Sequence, residues 1–171
     1  PIEKIRSVSI WIFIIPFLSV NICLLIITQF HQILEPGVPI FPTFPYIDGG
    51  VSISRTVRNY PMYLIFKPAM FITSFLLIIY WYNNKKLIEN INPNYINKNK
   101  IIFFGITSAV LLTIHSIFLG IKIEYDLYKL FRRVVMLSFI IFELIAQFYL
   151  IKFLYDHKNK IQNLINEKFL F

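Results

Sequence analysis

Four apolar runs, at about 8–30, 61–82, 101–121 and 131–155, decide what this chain can fold into. Each reaches the ~20 residues a helix needs to cross about 30 Å of hydrocarbon. Inside a bilayer no water is at hand to satisfy a backbone N–H or C=O, so such a run closes its hydrogen bonds within itself. The expected fold is all-α, an integral membrane bundle of four transmembrane helices joined through a proline-rich outer loop over 31–60. Four spans of about 22 residues fill half of the 171, so 1–171 reads as a single membrane domain. Residues 156–171 remain as a tail.

Composition excludes a soluble domain, with 57% hydrophobic residues and a mean hydropathy of +0.64. The one cysteine, Cys23, lies inside the first run, so no disulfide forms within the chain and the thiol reads as a small packing group. The first run is longer than the 7–15 residues of a signal-peptide core and has no small-x-small cleavage site after it, so it reads as a span. The sequence begins at Pro1 and not at Met, which leaves its natural start open.

A net charge of +8 raises the question of nucleic acid. The lysines and arginines sit at the ends of the spans, where they anchor helices and set orientation, so no nucleic-acid partner is expected. With both termini on one side, that side gathers ten of them, Lys4, Arg6, Lys85, Lys86, Lys98, Lys100, Lys152, Lys158, Lys160 and Lys168. The other keeps seven, Arg55, Arg58, Lys67, Lys122, Lys129, Arg132 and Arg133. Both termini are therefore expected in the cytoplasm. Which membrane is meant stays open.

The outer loop is the most patterned connection. Pro36, Pro39, Pro42 and Pro45 recur every third residue, the period of a polyproline II helix. With Val38, Ile40, Phe41 and Phe44 between them, this is expected to be a stiff segment over the bundle or at the interface. Asp48-Gly49-Gly50 marks a turn, and Ser52, Ser54, Arg55 and Arg58 follow just before the membrane. Arginine forks match phosphate oxygens and serine hydroxyls add bonds, so a lipid headgroup is the natural ligand there. Generic interfacial anchoring is the plainer reading of the same residues.

Within the spans, Pro16 and Pro68 are expected to kink their helices, or in Pro68's case to mark where the helix begins. Lys67 is placed to snorkel outward. Tyr80-Trp81-Tyr82, followed by Asn83-Asn84-Lys85-Lys86, reads as an interfacial aromatic belt with basic anchors. Residues 89–100 read as a solvated loop. Gly105, Ser108, Ala109 and Ser116 allow close helix approach, and Asn21 suits a hydrogen bond between helices. The tail spaces Ile161, Leu164, Ile165 and Phe169 on one face beside Lys158, Lys160 and Lys168, as an interfacial helix or a continuation of the fourth span would.

Ionisable groups inside a membrane are costly and are functional candidates for that reason. His115 and Glu143 are the two here, about 9 and 18 Å below the outer ends of their spans at 1.5 Å per residue, an offset that opposes a direct pair. Glu143 and Gln147 share a helix face. Both groups read either as contacts for a proton or a headgroup, or as neutral clamps between helices. The three histidines fall at different depths, so no metal site is expected, and no sequence pattern calls for a cofactor. Polar residues are too few to line a pore in one copy.

The outer loop resembles a known family. Pro45-Tyr46-Ile47-Asp48-Gly49 is similar to the loop between the first two spans of Frag1/DRAM/Sfk1 membrane proteins. Ser52-Ile53-Ser54, Pro61, Phe66-Lys67 and Tyr80-Trp81 resemble features of its GPI-remodelling, PGAP2-like branch, so the likeness spans Pro45–Trp81. It implies a multi-pass protein that binds or helps remodel lipid headgroups or lipid anchors, with membrane lipids as partners. The expected lipid-binding residues are then Asp48, Ser52, Ser54, Arg55, Arg58, Lys67 and His115, with Asn21, Glu143 and Gln147 as intramembrane polar residues. No acyl-transfer nucleophile stands beside a base in the sequence, so whether the chain is an enzyme stays open. The alternative is an accessory subunit of a larger membrane complex, partnered by other integral membrane subunits and without chemistry of its own.

Overall fold

The computed structural model describes residues 2–30, 45–48, 56–57, 60–121 and 125–161, and the described residues form helices, turns and short links only. The helices are α1 (Ile2–Gln29), α2 (Pro45–Asp48), α3 (Met62–Ile91), α4 (Lys98–Phe118), α5 (Asp126–Asp156) and α6 (Lys158–Ile161). Four of them, α1, α3, α4 and α5, are long and apolar enough to cross a membrane. They run antiparallel in turn. One end of the molecule, here the loop end, holds Gln29, Met62, Phe118 and Asp126; the other, the terminal end, holds Ile2, Ile91, Lys98 and Asp156.

The helices pack in chain order, α1 on α3, α3 on α4 and α4 on α5. This is a row with two edges. About 39% and 33% of the apolar windows of α3 and α4 are buried, against 17% for each of α1 and α5, so the outermost helices present most of their surface outward. Phe13, Phe17, Leu25, Leu137, Leu144 and Phe148 are among the large apolar side chains left exposed. In hydrocarbon that exposure has no water to avoid, so close packing and polar contacts hold the row together.

Three expectations change. The helix α3 runs nine residues past Tyr82, because Asn83 and Asn84 donate to the carbonyls of Ile79 and Tyr80 at 2.9 Å and Leu87 and Ile88 are buried. The expected solvated loop shrinks to Asn92–Asn97 and is packed: Tyr95 meets Phe153 edge-on at 4.8 Å, and Lys98 pairs with Glu89 at 3.6 Å. Trp81 belongs to no aromatic belt, since it is 0% exposed in the core. Pro16 and Pro68 both lie inside helices that continue through them, so Pro68 does not begin one.

Two apolar clusters form the core. One joins Cys23, Val57, Met62, Phe66, Met70, Leu77, Ala109, Leu112 and Leu119 toward the loop end. Cys23 is the expected packing group, with its thiol 3.5 Å from the Met62 carbonyl. The other joins Trp81, Ile88, Ile101, Ala146, Leu150 and Phe153 toward the terminal end. The chain turns out of α4 at Gly120, whose φ of +81° suits glycine, and Tyr63 of α3 packs over it. Helix α5 ends at Asp156 and α6 follows for four residues; the rest of the tail, 162–171, lies outside the described residues.

Candidate functional site

The intramembrane polar residues gather at two places. The first is a knot near the middle of α3, α4 and α5. Gly105 has no side chain, and a Cβ there would overlap the Trp81 ring, so the indole lies directly on the α4 backbone. That close approach carries Trp81 across α4 to α5, where its Nε1–H donates to Glu143 Oε2 at 3.2 Å. The Ser108 hydroxyl donates to the same oxygen at 2.5 Å and also lies 2.8 Å from the Gly105 carbonyl. Gln147, one turn along α5, donates to Glu143 Oε1 at 2.9 Å. Both carboxyl oxygens of Glu143 thus have donors from three helices, as a buried polar group requires.

Ser74 adds a second tie between α3 and α4. Its hydroxyl donates to the Ala109 carbonyl at 2.7 Å and stands 2.6 Å from the Thr113 hydroxyl.

The second place is the loop end, between α4 and α5. Tyr128 donates its hydroxyl to the Phe118 carbonyl at 2.8 Å, and Phe118 meets Phe131 edge-on at 5.3 Å, so the two helix ends are fixed together. His115 lies one turn inside α4, within electrostatic reach of Arg132 on α5. His115 Nδ1 and Arg132 Nε are both buried, and neither has a hydrogen-bond partner among the described residues. The Arg132 guanidinium lies 5.8 Å over the Tyr128 ring. Lys67, on α3, lies 5.9 Å over Tyr63. Cations are favoured beside the carbonyl end of α4 by the helix dipole. Lys67 and Arg132 stand near the N-terminal ends of their own helices, whose dipoles oppose a cation. Neither field supplies a partner for the two buried nitrogens.

Of the expected site residues, Glu143 and Gln147 come together in the knot, and His115 and Lys67 stand at the loop end. Asn21 donates to the Phe17 carbonyl at 2.7 Å within its own helix and accepts from the Tyr46 hydroxyl at 2.7 Å. Its outside partner is therefore α2 and not another span. Asp48 closes α2, while Ser52, Ser54, Arg55 and Arg58, and the prolines Pro36, Pro39 and Pro42, lie outside the described residues. Sequence reasoning missed Trp81 and Ser108 as partners of Glu143, and Arg132 as a neighbour of His115. Arg132 reads as an end anchor because the apolar run starts at Phe131, whereas α5 begins five residues earlier.

Four helices long and apolar enough to cross a membrane, with polar groups locked between them, fit a multi-pass membrane protein. Compared with protein-family models, curated proteins and solved structures, the chain has no match in any of the three. Among the described residues, no group of three His, Cys, Asp or Glu could hold a metal ion.

Proposed function

We propose that this protein binds the polar heads of membrane lipids at its loop end, as the likeness of Pro45–Trp81 to Frag1/DRAM/Sfk1 proteins also implies. The observation that carries the reading is the gathering of cations at the loop end, where the half-buried Lys67 and Arg132 lie over the Tyr63 and Tyr128 rings. Arginine and lysine heads bond phosphate oxygens strongly, so an anionic occupant is favoured there. At this depth the plentiful acceptors are lipid phosphates and ester carbonyls. Lys67 stands at the same end, and in this reading Asp48, Ser52, Ser54, Arg55 and Arg58 supply further polar contacts from the connecting segment. The loop end then faces the outer leaflet and both termini face the cytoplasm.

The closed state of the Glu143 knot fits this division of labour. Its acceptors are taken by the protein itself, so it works as a clamp that holds the spans, and binding is left to the other end.

A second reading, an accessory subunit of a larger complex, draws support from the bare outward faces of α1 and α5. One experiment separates the two. The full chain is extracted from its native membrane in mild detergent and sized, with mass spectrometry of its proteins and lipids. Lipid binding predicts a lone or self-associated particle that retains phospholipid in the wild type and loses it in the Arg132→Ala, His115→Ala double variant. A fixed set of co-purifying subunits, with lipid content equal in wild type and variant, would sink it in favour of the accessory reading.

A further inference from the structure

The outer seam between α4 and α5 carries an open groove of about 690 Å³. Its lining includes Phe104 of α4 and Leu144, Gln147, Phe148, Tyr149 and Ile151 of α5. Leu144, Phe148 and Ile151 are exposed, so the groove faces the membrane and not the core. The Tyr149 hydroxyl has no hydrogen-bond partner among the described residues. A donor left bare in hydrocarbon favours a ligand that brings an oxygen to it.

The rings of Phe104 and Tyr149 stack at 6.4 Å and 6°, which sets the register of the two helices. Lys100 lies one turn from Phe104, and Lys152 about one turn from both Tyr149 and Phe148, so each shares a helix face with the lining. The helices are antiparallel, and both steps lead toward the terminal end. At 1.5 Å per residue the lysines stand about 6 and 4.5 Å past the stacked rings, at nearly one level, one on each helix. Both are exposed, and neither has an ion pair among the described residues. Glu89 is held by Lys98, and Asp156, a turn beyond Lys152, does not pair with it. Two cations without acids therefore stand over an apolar groove near the helix ends. A phospholipid meets both halves of this arrangement at once, with its phosphate at the lysines and a chain in the groove. A soluble anion would serve only the lysines, and a neighbouring span would have to place an acid at the same level. In the orientation proposed above, this end faces the cytoplasmic leaflet, where anionic lipids gather and basic pockets between spans bind their heads.

We infer that the outer seam of α4 and α5 holds one anionic phospholipid, with its phosphate between Lys100 and Lys152, an ester carbonyl accepting from Tyr149 and an acyl chain in the groove. An anionic head is preferred to a choline head, which would bring a third cation beside the two lysines. This site is separate from the loop end and does not rest on the reading of that end.

The experiment places the purified full chain in phosphatidylcholine nanodiscs doped with phosphatidylglycerol or diacylglycerol and scores co-isolated lipid by native mass spectrometry. It is run on wild type and on the Arg132→Ala, His115→Ala variant, so that this lipid is counted apart from any at the loop end. In both, phosphatidylglycerol is expected to be retained about fivefold over phosphatidylcholine, the scale of one exposed ion pair, with diacylglycerol, which has no phosphate, weakest. The Lys100→Ala, Lys152→Ala variant loses that order and keeps its unfolding midpoint in lipid-free detergent, since neither lysine has a partner to lose. Tyr149→Phe lowers all three lipids about threefold, and Leu144→Trp, which fills the groove, lowers them further. Lys86→Ala, an exposed cation on α3 at the same end, changes nothing. Equal retention of the two phospholipids, or a preference that the double lysine variant keeps, overturns the head assignment. Loss in Lys86→Ala equal to that in the lysine pair assigns the effect to general surface charge and overturns the site. Retention unmoved by Tyr149→Phe and Leu144→Trp overturns the groove. A dimer or a fixed subunit that Leu144→Trp dissolves gives the groove to a protein helix and overturns the lipid. A preference lost in the Arg132→Ala, His115→Ala variant places the lipid at the loop end, which supports that reading and overturns this one.

Discussion

The two ends of the helical row treat polarity in opposite ways. In the middle and toward the terminal end, Glu143 has both oxygens filled by Trp81, Ser108 and Gln147, and the apolar cluster of Ile88, Ile101, Leu150 and Phe153 continues below. At the loop end, His115 Nδ1 and Arg132 Nε are both buried without a hydrogen-bond partner among the described residues. The difference teaches where to look for function in a protein that lives in lipid. A polar group that is satisfied within the protein stabilises the fold. One that is left open is available to something else, because the membrane cannot satisfy it as water would.

That contrast can be broken most severely at Gly105. A Gly105→Val change puts methyl groups where the Trp81 ring already lies, so α3 and α4 must separate. The expected loss is about 3 kcal/mol or more, read as a lowered midpoint in unfolding by a denaturing detergent with Trp fluorescence. A variant as stable as wild type would show that Trp81 does not rest on α4.

Removing the acceptor comes next. Glu143→Leu leaves the Trp81 and Ser108 donors buried without a partner and should cost about 2 kcal/mol, whereas Glu143→Gln, which keeps an acceptor and a donor, should cost under about 1 kcal/mol. Equal effects of the two would mean that bulk, not hydrogen bonding, holds the knot. The Ser74→Ala change tests the smaller tie to Ala109 and Thr113 and is expected to cost about 0.6 kcal/mol, a typical value for a hydrogen bond between membrane helices.

The smallest stability effect belongs to the open end. Arg132→Ala should shift the unfolding midpoint by no more than about 0.5 kcal/mol in lipid-free detergent, since losing its contact with the Tyr128 ring offsets the relief of an unpartnered Nε. Added phospholipid should then stabilise wild type and not the variant, because a ligand that binds only the folded state raises its stability. A large loss in the absence of lipid would make Arg132 part of the clamp and remove the contrast.

The sequence by itself determined the number of spans, their antiparallel order and the polar candidates within them. Runs of twenty apolar residues admit few structures in hydrocarbon, and a chain that crosses at each run must reverse direction each time. His115, Glu143 and Gln147 were legible because ionisable or amide groups in such runs are rare. Where each group's hydrogen bonds go was not legible. Trp81 stands next to Asn and Lys residues and reads as an interfacial anchor, and Gly105 reads as one small residue among several. Only the rotation of α3 against α4 shows that the glycine makes room for the indole and so joins it to Glu143. Arg132 reads as the start of a span until α5 is seen to begin at Asp126, which sets the guanidinium a turn and a half inside. Hydrophobicity is a property of each run alone and can be read along the chain, whereas pairing depends on the relative depth and rotation of two helices, which packing decides.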